Sequence, residues 1–210
     1  FSNHDVTRHV SRFARNEAER ERVARLAITL LSSLRGSICL YQGEELGLPE
    51  AALAFEDLRD PYGIRFWPSY KGRDGCRTPM VWEEAAANAG FSAGKPWLPV
   101  PAEHRRLAVD AMAAGVDTTL DHYRATLAFR NAQPVLRDGA MRFLDTNSDL
   151  LAFVREKDGE RLLFVFNLTR ETQVFLPPAP VHPLDLPGYP ARLEAGSIQL
   201  SGLSAFSGKF

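Results

Sequence analysis

The spacing of the apolar residues changes once along this chain, at Gln133-Pro134, and that change limits the fold more than any other feature. Beyond it lie short runs rich in Val, Leu and Phe, at 141–144, 150–157, 161–168 and 171–176, each bounded by turn residues. Lys157-Asp158-Gly159-Glu160 reads as a hairpin turn, because Asp-Gly tolerates the left-handed backbone of a tight reversal. An antiparallel domain is therefore expected over 134–210. The proline-rich stretch 177–190 is expected to be a connector, and strands near 191–193 and 197–200 are expected to close the sheet.

Upstream the pattern is different. Asn16 is placed to cap a helix over 17–34, in which Val23, Leu26, Ala27, Leu30, Leu31 and Leu34 recur at helical spacing before Gly36 ends it. Residues 37–41, Ser-Ile-Cys-Leu-Tyr, are mostly apolar without alternation, which predicts a short buried strand of the parallel type. From 47 to 101 the chain is irregular, with scattered Pro, Gly and aromatic residues, and a loop of that length in a compact domain is usually functional. Helices are expected over 103–114 and 118–131, the second covering a core with Leu120, Tyr123, Leu127 and the Arg124 stem, until Pro134 breaks it.

Composition removes several classes of function. A formal net charge of −1 supplies no general basic field, so nucleic-acid binding has little electrostatic support. No apolar run approaches the roughly 18 to 20 residues that span a bilayer. The two cysteines, Cys39 and Cys76, have neither metal-ligand spacing nor the density of a disulfide framework, so a reduced, cytoplasmic protein without metal or cofactor is expected.

Chemistry concentrates in three motifs: Phe1-Ser2-Asn3-His4-Asp5-Val6 with Arg8, Ser11 and Arg12; Tyr41-Gln42-Gly43-Glu44-Glu45-Leu46-Gly47-Leu48-Pro49-Glu50; and Lys71-Gly72-Arg73-Asp74-Gly75-Cys76-Arg77-Thr78-Pro79-Met80 with Trp82. In that order they resemble glycoside hydrolase family 13, the α-amylase family, and within it the α-glucosidases and oligo-1,6-glucosidases. The resemblance implies an α/β plus all-β fold: residues 1–133 as the last two βα units of a (β/α)8 barrel, and residues 134–210 as a C-terminal antiparallel β-sandwich. Residues 1–5 would end strand seven and 37–41 would be strand eight. The barrel upstream of residue 1 would then be this chain's partner.

Family members cleave α-glucosides with retention, which requires two carboxyl groups flanking the scissile bond. By the resemblance these precede residue 1, so the chain alone is expected to be inactive. Asp5 matches the third family carboxylate, which stabilises the positive charge developing at the anomeric carbon. His4 is expected to donate to sugar hydroxyls. By the resemblance Arg77 is expected to reach the bottom of the glucose pocket and pair with an Asp on an early barrel loop outside these residues, with a loop salt bridge to Asp74 as the structural alternative. Glu50 is expected to shape the substrate pocket from the long loop, and the Phe66-Trp67 pair either joins it or anchors the loop. Asn3 is expected to support the turn through its side chain.

Glu44 and Glu45 invite assignment as an acid/base pair. On an extended segment, however, neighbours point to opposite sides, so they are expected to bond loop backbone or line the rim instead. Arg8, Arg12, Lys71 and Arg73 are expected to be solvated or structural. Val81 stands where relatives more often have Pro or Gln. Three functions fit the resemblance: an α-glucosidase acting on short α-glucosides, a transglucosidase or sucrose isomerase, or a non-catalytic transporter partner. The third has no use for His4, Asp5 and Arg77 together.

Overall fold

The computed structural model describes residues 1–146, 149–184 and 191–210. Its contacts divide the chain into two compact units, residues 1–24 with 39–121 and residues 25–38 with 122–210.

Helices occupy most of the predicted places. After the short α1 (His9–Phe13), α2 runs Glu17–Ser33, and Asn16 caps it by accepting the Glu19 N–H at 3.1 Å. Its buried residues include Val23, Ala24, Leu26, Ile28, Thr29, Ser32 and Ser33, whereas Ala27, Leu30, Leu31 and Leu34 are half-buried. The predicted apolar face is thus displaced toward a polar seam, in which the Thr29 hydroxyl lies 3.0 Å from His122 Nε2. The expected helix over 103–114 is two short ones, α4 (Ala102–Arg105) and α5 (Val109–Ala114), with extended backbone at Ala108 between them. Next, α6 spans Thr119–Ala132 and buries Leu120 and Tyr123, while Arg124 is exposed; Arg130 is the buried arginine instead. Gln133 is extended, as a residue before proline prefers, and α7 begins at Pro134 (Pro134–Asp138).

Two expectations fail upstream of Gln42. Residues 37–41 form no strand and are exposed or half-buried, because a strand exists only with a hydrogen-bonded neighbour and none of the described residues lies beside them in a ladder. Likewise residues 1–5 contribute only an isolated bridge between Asn3 and Val6. The region 47–101 holds more structure than expected. It contains α3 (Pro61–Phe66), started by Asp60, whose carboxylate accepts the Tyr62 N–H at 3.2 Å, with Pro61 at the first helical position. A small core of Leu46, Leu48, Val81, Ala89, Ala108 and Leu120 belongs to the same unit. Val81 is fully buried there, which accounts for an apolar residue at that place.

The second unit carries two antiparallel sheets. One has the order β1-β2-β3-β8-β5, with β1 Ala140–Phe143, β2 Leu150–Lys157, β3 Glu160–Asn167, β5 His182–Pro183 and β8 Ser204–Lys209. The other has the order β4-β7-β6, with β4 Gln173–Phe175, β6 Arg192–Glu194 and β7 Ser197–Leu200. Asp158 and Gly159 both have positive φ, 51° and 82°, as the predicted Asp-Gly hairpin between β2 and β3 demands.

Alternation then sorts the side chains. Leu150, Ala152, Val154, Leu163, Val165 and Phe206 of the larger sheet share one core with Phe175, Ile198 and Leu200 of the smaller. On the opposite face Phe153 stacks on Phe164 and Phe166, with ring centroids 5.7 and 5.8 Å apart. Arg155, fully buried beside them, donates to the carbonyls of Ser33, Leu136 and Gly139 at 2.8 to 3.0 Å.

Neither β8 nor β5 was expected. The sequence Ser-Ala-Phe-Ser-Gly-Lys lacks a strong strand signal, and β8 is ordered by pairing with β3 along its whole length. The last expected strands, β6 and β7, therefore belong to the smaller sheet and do not close the larger one. The expected connector 177–190 contains β5, and its residues 185–190 lie outside the described residues.

Candidate active site

The opening pentapeptide is shaped by side chains that bond its backbone. Asn3 Oδ1 accepts the Asp5 N–H at 2.8 Å, which closes a turn and presents Asp5 outward. Glu44 Oε1 accepts the Ser2 N–H at 2.6 Å, and the Ser2 hydroxyl in turn accepts the His9 N–H at 2.9 Å. From the opposite strand of chain, Arg77 Nε donates to the His4 carbonyl at 2.6 Å.

These constraints bring three of the predicted residues together. The Asp5 carboxylate has Oδ1 at 3.0 Å from Arg77 Nη2 and Oδ2 at 3.2 Å from His4 Nε2. A fourth residue joins them that sequence reasoning had set aside: Arg73 Nη1 donates to the same Asp5 Oδ1 at 2.9 Å. Asp5 titrates below its ordinary value. Partial desolvation pushes it up, and the Arg73 hydrogen bond, the nearby His4 and Arg73 charges and the Arg77 hydrogen bond together push it further down. The arrangement keeps a carboxylate ionised while leaving it accessible, since the Asp5 side chain is 50% exposed and His4 69%.

Arg73 is itself held from behind. Asp60 accepts the Arg73 backbone N–H and Nε, both at 2.9 Å, and Nη2 at 3.2 Å. These bonds from Arg73 are the main cause of an Asp60 pKa lowered to about 2. Asp60 is buried, and its own N–H is accepted by the buried Asp74 at 2.7 Å, which also takes the Arg59 N–H at 2.6 Å. Asp74 thus anchors the loop through backbone, and the salt bridge that Arg77 makes is with Asp5 and not with Asp74. The signal available in the sequence was Asp60-Pro61, a helix-start pair that places an acid beside Gly72-Arg73.

Glu50 is positioned differently from the other three. Its Oε2 accepts the Arg8 N–H at 2.9 Å and its own N–H donates to the Ser11 hydroxyl at 2.8 Å, so it ties the long loop to the start of α1. It borders a cavity of 220 Å³ with Thr7, Leu58, Tyr70, Lys71 and Gly75, and burial pushes its carboxyl pKa up. Glycine suits position 75, because a Cβ there would sit 2.7 Å from the Ala51 carbonyl oxygen as well as against Glu50 Oε1.

Glu44 bonds backbone as expected, accepting the Ser2 and Tyr41 N–H groups, though the reason differs from the expected one. Glu44 and Glu45 lie in a one-turn 3-10 helix, Glu44–Leu46, and not on an extended segment. Burial raises the Glu45 pKa. Arg8, 1% exposed, donates to the Gln42 carbonyl at 2.8 Å and lies over the Tyr41 ring; it is structural and not solvated. His9 and His104 are buried anchors. His104 Nε2 lies 2.8 Å from the Pro49 carbonyl, and burial lowers both histidine pKa values to about 4. Phe66 and Trp67 join an aromatic group on the loop surface, with Trp67 against Phe55 and Phe66 stacked on Tyr62. Among the described residues no cluster of His, Cys, Asp and Glu is placed to hold a metal ion, and no helix is long and apolar enough to cross a membrane.

Comparison with known proteins places this site in context. Over 207 residues the chain is 46% identical to a probable alpha-glucosidase of Rhizobium meliloti (strain 1021), covering 98% of this chain and 37% of that protein. It is 32% identical to an oligo-1,6-glucosidase of Heyndrickxia coagulans, covering 83% of this chain and 35% of that protein. Among solved structures, an alpha-glucosyl transfer enzyme superposes with a TM-score of 0.91 at 48% identity, covering 99% of this chain and 39% of the other. The chain thus spans under two fifths of the length of each of these relatives. Residues 1–139 match the family described as alpha amylase, catalytic domain, and the chain belongs to the alpha-amylase family.

Proposed function

We propose that this chain is the C-terminal part of a retaining α-glucosidase that releases glucose from the non-reducing end of short α-glucosides. The observation that carries the reading is the gathering of His4, Asp5 and Arg77: one carboxylate, kept ionised, beside an imidazole and a guanidinium. In this reading Asp5 faces the anomeric carbon and stabilises the oxocarbenium-like charge that develops there. His4 donates to a hydroxyl of the same glucose. Arg77 holds both sugar and carboxylate, and Glu50 shapes the loop wall of the pocket.

The nucleophile and the acid/base come from residues outside these 210, in keeping with the share of each relative that the chain spans. Residues 1–133 then complete a (β/α)8 barrel as its last two βα units, with 1–5 and 37–41 becoming strands once their neighbours are present. Residues 134–210 form a β-sandwich, a reading supported by the core that the two sheets share. Two free cysteines suit a cytoplasmic setting.

Hydrolysis of p-nitrophenyl α-glucoside tests the proposal. The longer protein is expected to turn over and the 210-residue chain is not, and Asp5→Asn in the longer protein is expected to lower kcat by at least ~10³-fold. An Asp5→Asn variant with near-normal kcat would sink the assignment. A second reading, transfer of glucose to a sugar acceptor or isomerisation of sucrose, is favoured by the likeness to the alpha-glucosyl transfer enzyme. Product analysis on maltose and sucrose separates the two: monosaccharides alone, glucose from maltose and glucose with fructose from sucrose, support hydrolysis, and new di- or oligosaccharides support transfer or isomerisation.

A further inference from the structure

We infer that Arg73 is a positioning residue for Asp5: its guanidinium, fixed from behind by the buried Asp60, sets the orientation of the Asp5 carboxylate and leaves Oδ2, beside His4 Nε2, clear of both arginines and facing the sugar. The inference rests on the assignment of Asp5 above and deepens it.

Geometry carries the argument. Arg73 spends Nε and Nη2 on Asp60 and directs Nη1 at Asp5, so one planar fork spans two carboxylates. Lysine has one nitrogen on a flexible stem and does not hold two carboxylates in fixed relative directions as a planar fork does. The Asp60 side chain is fully buried and its backbone is pinned by Asp74, so the fork rests on a rigid support. Both Arg73 and Arg77 converge on the same oxygen, Asp5 Oδ1, which fixes the rotation of the carboxylate about its last torsion.

Charge points the same way. Two guanidinia on Asp5 alone would cancel the negative field that a transition-state stabiliser needs. Asp60 offsets one of them, so Arg73 orients Asp5 without extinguishing its charge. A pair this exposed contributes little to stability, which leaves orientation as the effect it can exert.

The test uses the longer protein and a double-mutant cycle. Arg73→Met is expected to lower kcat on p-nitrophenyl α-glucoside roughly tenfold, with KM changed less than about threefold. In an Asp5→Asn background the same substitution is expected to change the residual kcat less than about twofold, because the group it orients has lost its charge. Arg73→Lys is expected to recover little of the loss, since one ammonium nitrogen on a flexible stem does not reproduce the fixed directions of Nε, Nη1 and Nη2. Equal losses in both backgrounds mean that Arg73 acts through the fold and overturn the inference, as does an Arg73→Met enzyme with unchanged kcat. Should Arg73→Met fail to fold, Arg73→Lys enters the cycle in its place and the same outcomes decide. Near-normal kcat in Asp5→Asn alone is a separate result, which removes the assignment of Asp5 itself.

Discussion

The two sheets and the loop region between Gln42 and Pro101 are held by opposite means. In the sheets, backbone groups satisfy one another along ladders such as β2 with β3, and side chains contribute mainly apolar contact, as in the Phe153, Phe164 and Phe166 stack. In the loop region backbone bonds form isolated turns and no ladder. Polar side chains that are buried or half-buried tie those turns together: Asp74 takes two N–H groups, Asp60 takes two, Glu50 takes one, and His104 meets a carbonyl. A ladder tolerates exchange of almost any side chain that packs. A loop built on side-chain acceptors ties its shape to particular residues, and that is the material from which the Asp5 cluster is made.

Substitutions can break this contrast. The largest expected effect is in the sheets: Phe164→Ala leaves a cavity among buried rings and is expected to cost about 4 kcal/mol, read as a lower urea midpoint. Acid should act on the loops first. Burial holds the folded His104 pKa near 4, below its ordinary 6.5, so its contribution is complete above about pH 6.5 and is lost as pH falls toward 4. The loss is roughly 3 kcal/mol, and limited proteolysis at descending pH is expected to cut within 42–101 before the sheets. Cleavage that starts in the sheets would contradict the contrast.

Asp74→Asn comes next. It removes the charge that accepts the Arg59 and Asp60 amides and is expected to cost about 2 kcal/mol, with faster hydrogen exchange at those two amides and little change at β3. The smallest effect belongs to the hairpin. Gly159→Ala meets open space, so only its positive φ is penalised, and scanning calorimetry is expected to register about 1 kcal/mol.

Legibility followed the same division. Strands β2 and β7 and the Asp158-Gly159 turn were read at their observed bounds, because alternation and turn chemistry are local signals. Helices α2 and α6 were read within a residue or two, though the buried face of α2 was not, since Thr29 and His122 draw polar groups inward. Strand β8 escaped because its order comes from β3, which is remote in sequence. Residues 37–41 show the converse case: an apolar run sufficient for a strand remains irregular without a neighbour to pair with.

At the site, His4, Asp5, Arg77 and Glu50 were singled out by motif, while Arg73 and Asp60 were not. Their roles depend on contacts across 68 and 13 residues of chain that no spacing rule encodes. By itself, then, the sequence determined the family, the change from helical to antiparallel structure, and which residue types carry the chemistry. The tertiary structure alone decided which arginines reach Asp5, what braces them, and which oxygen of the carboxylate they share. The reason is physical: periodicity and turn preference act within a few residues, whereas hydrogen-bond geometry exists only once distant segments have met.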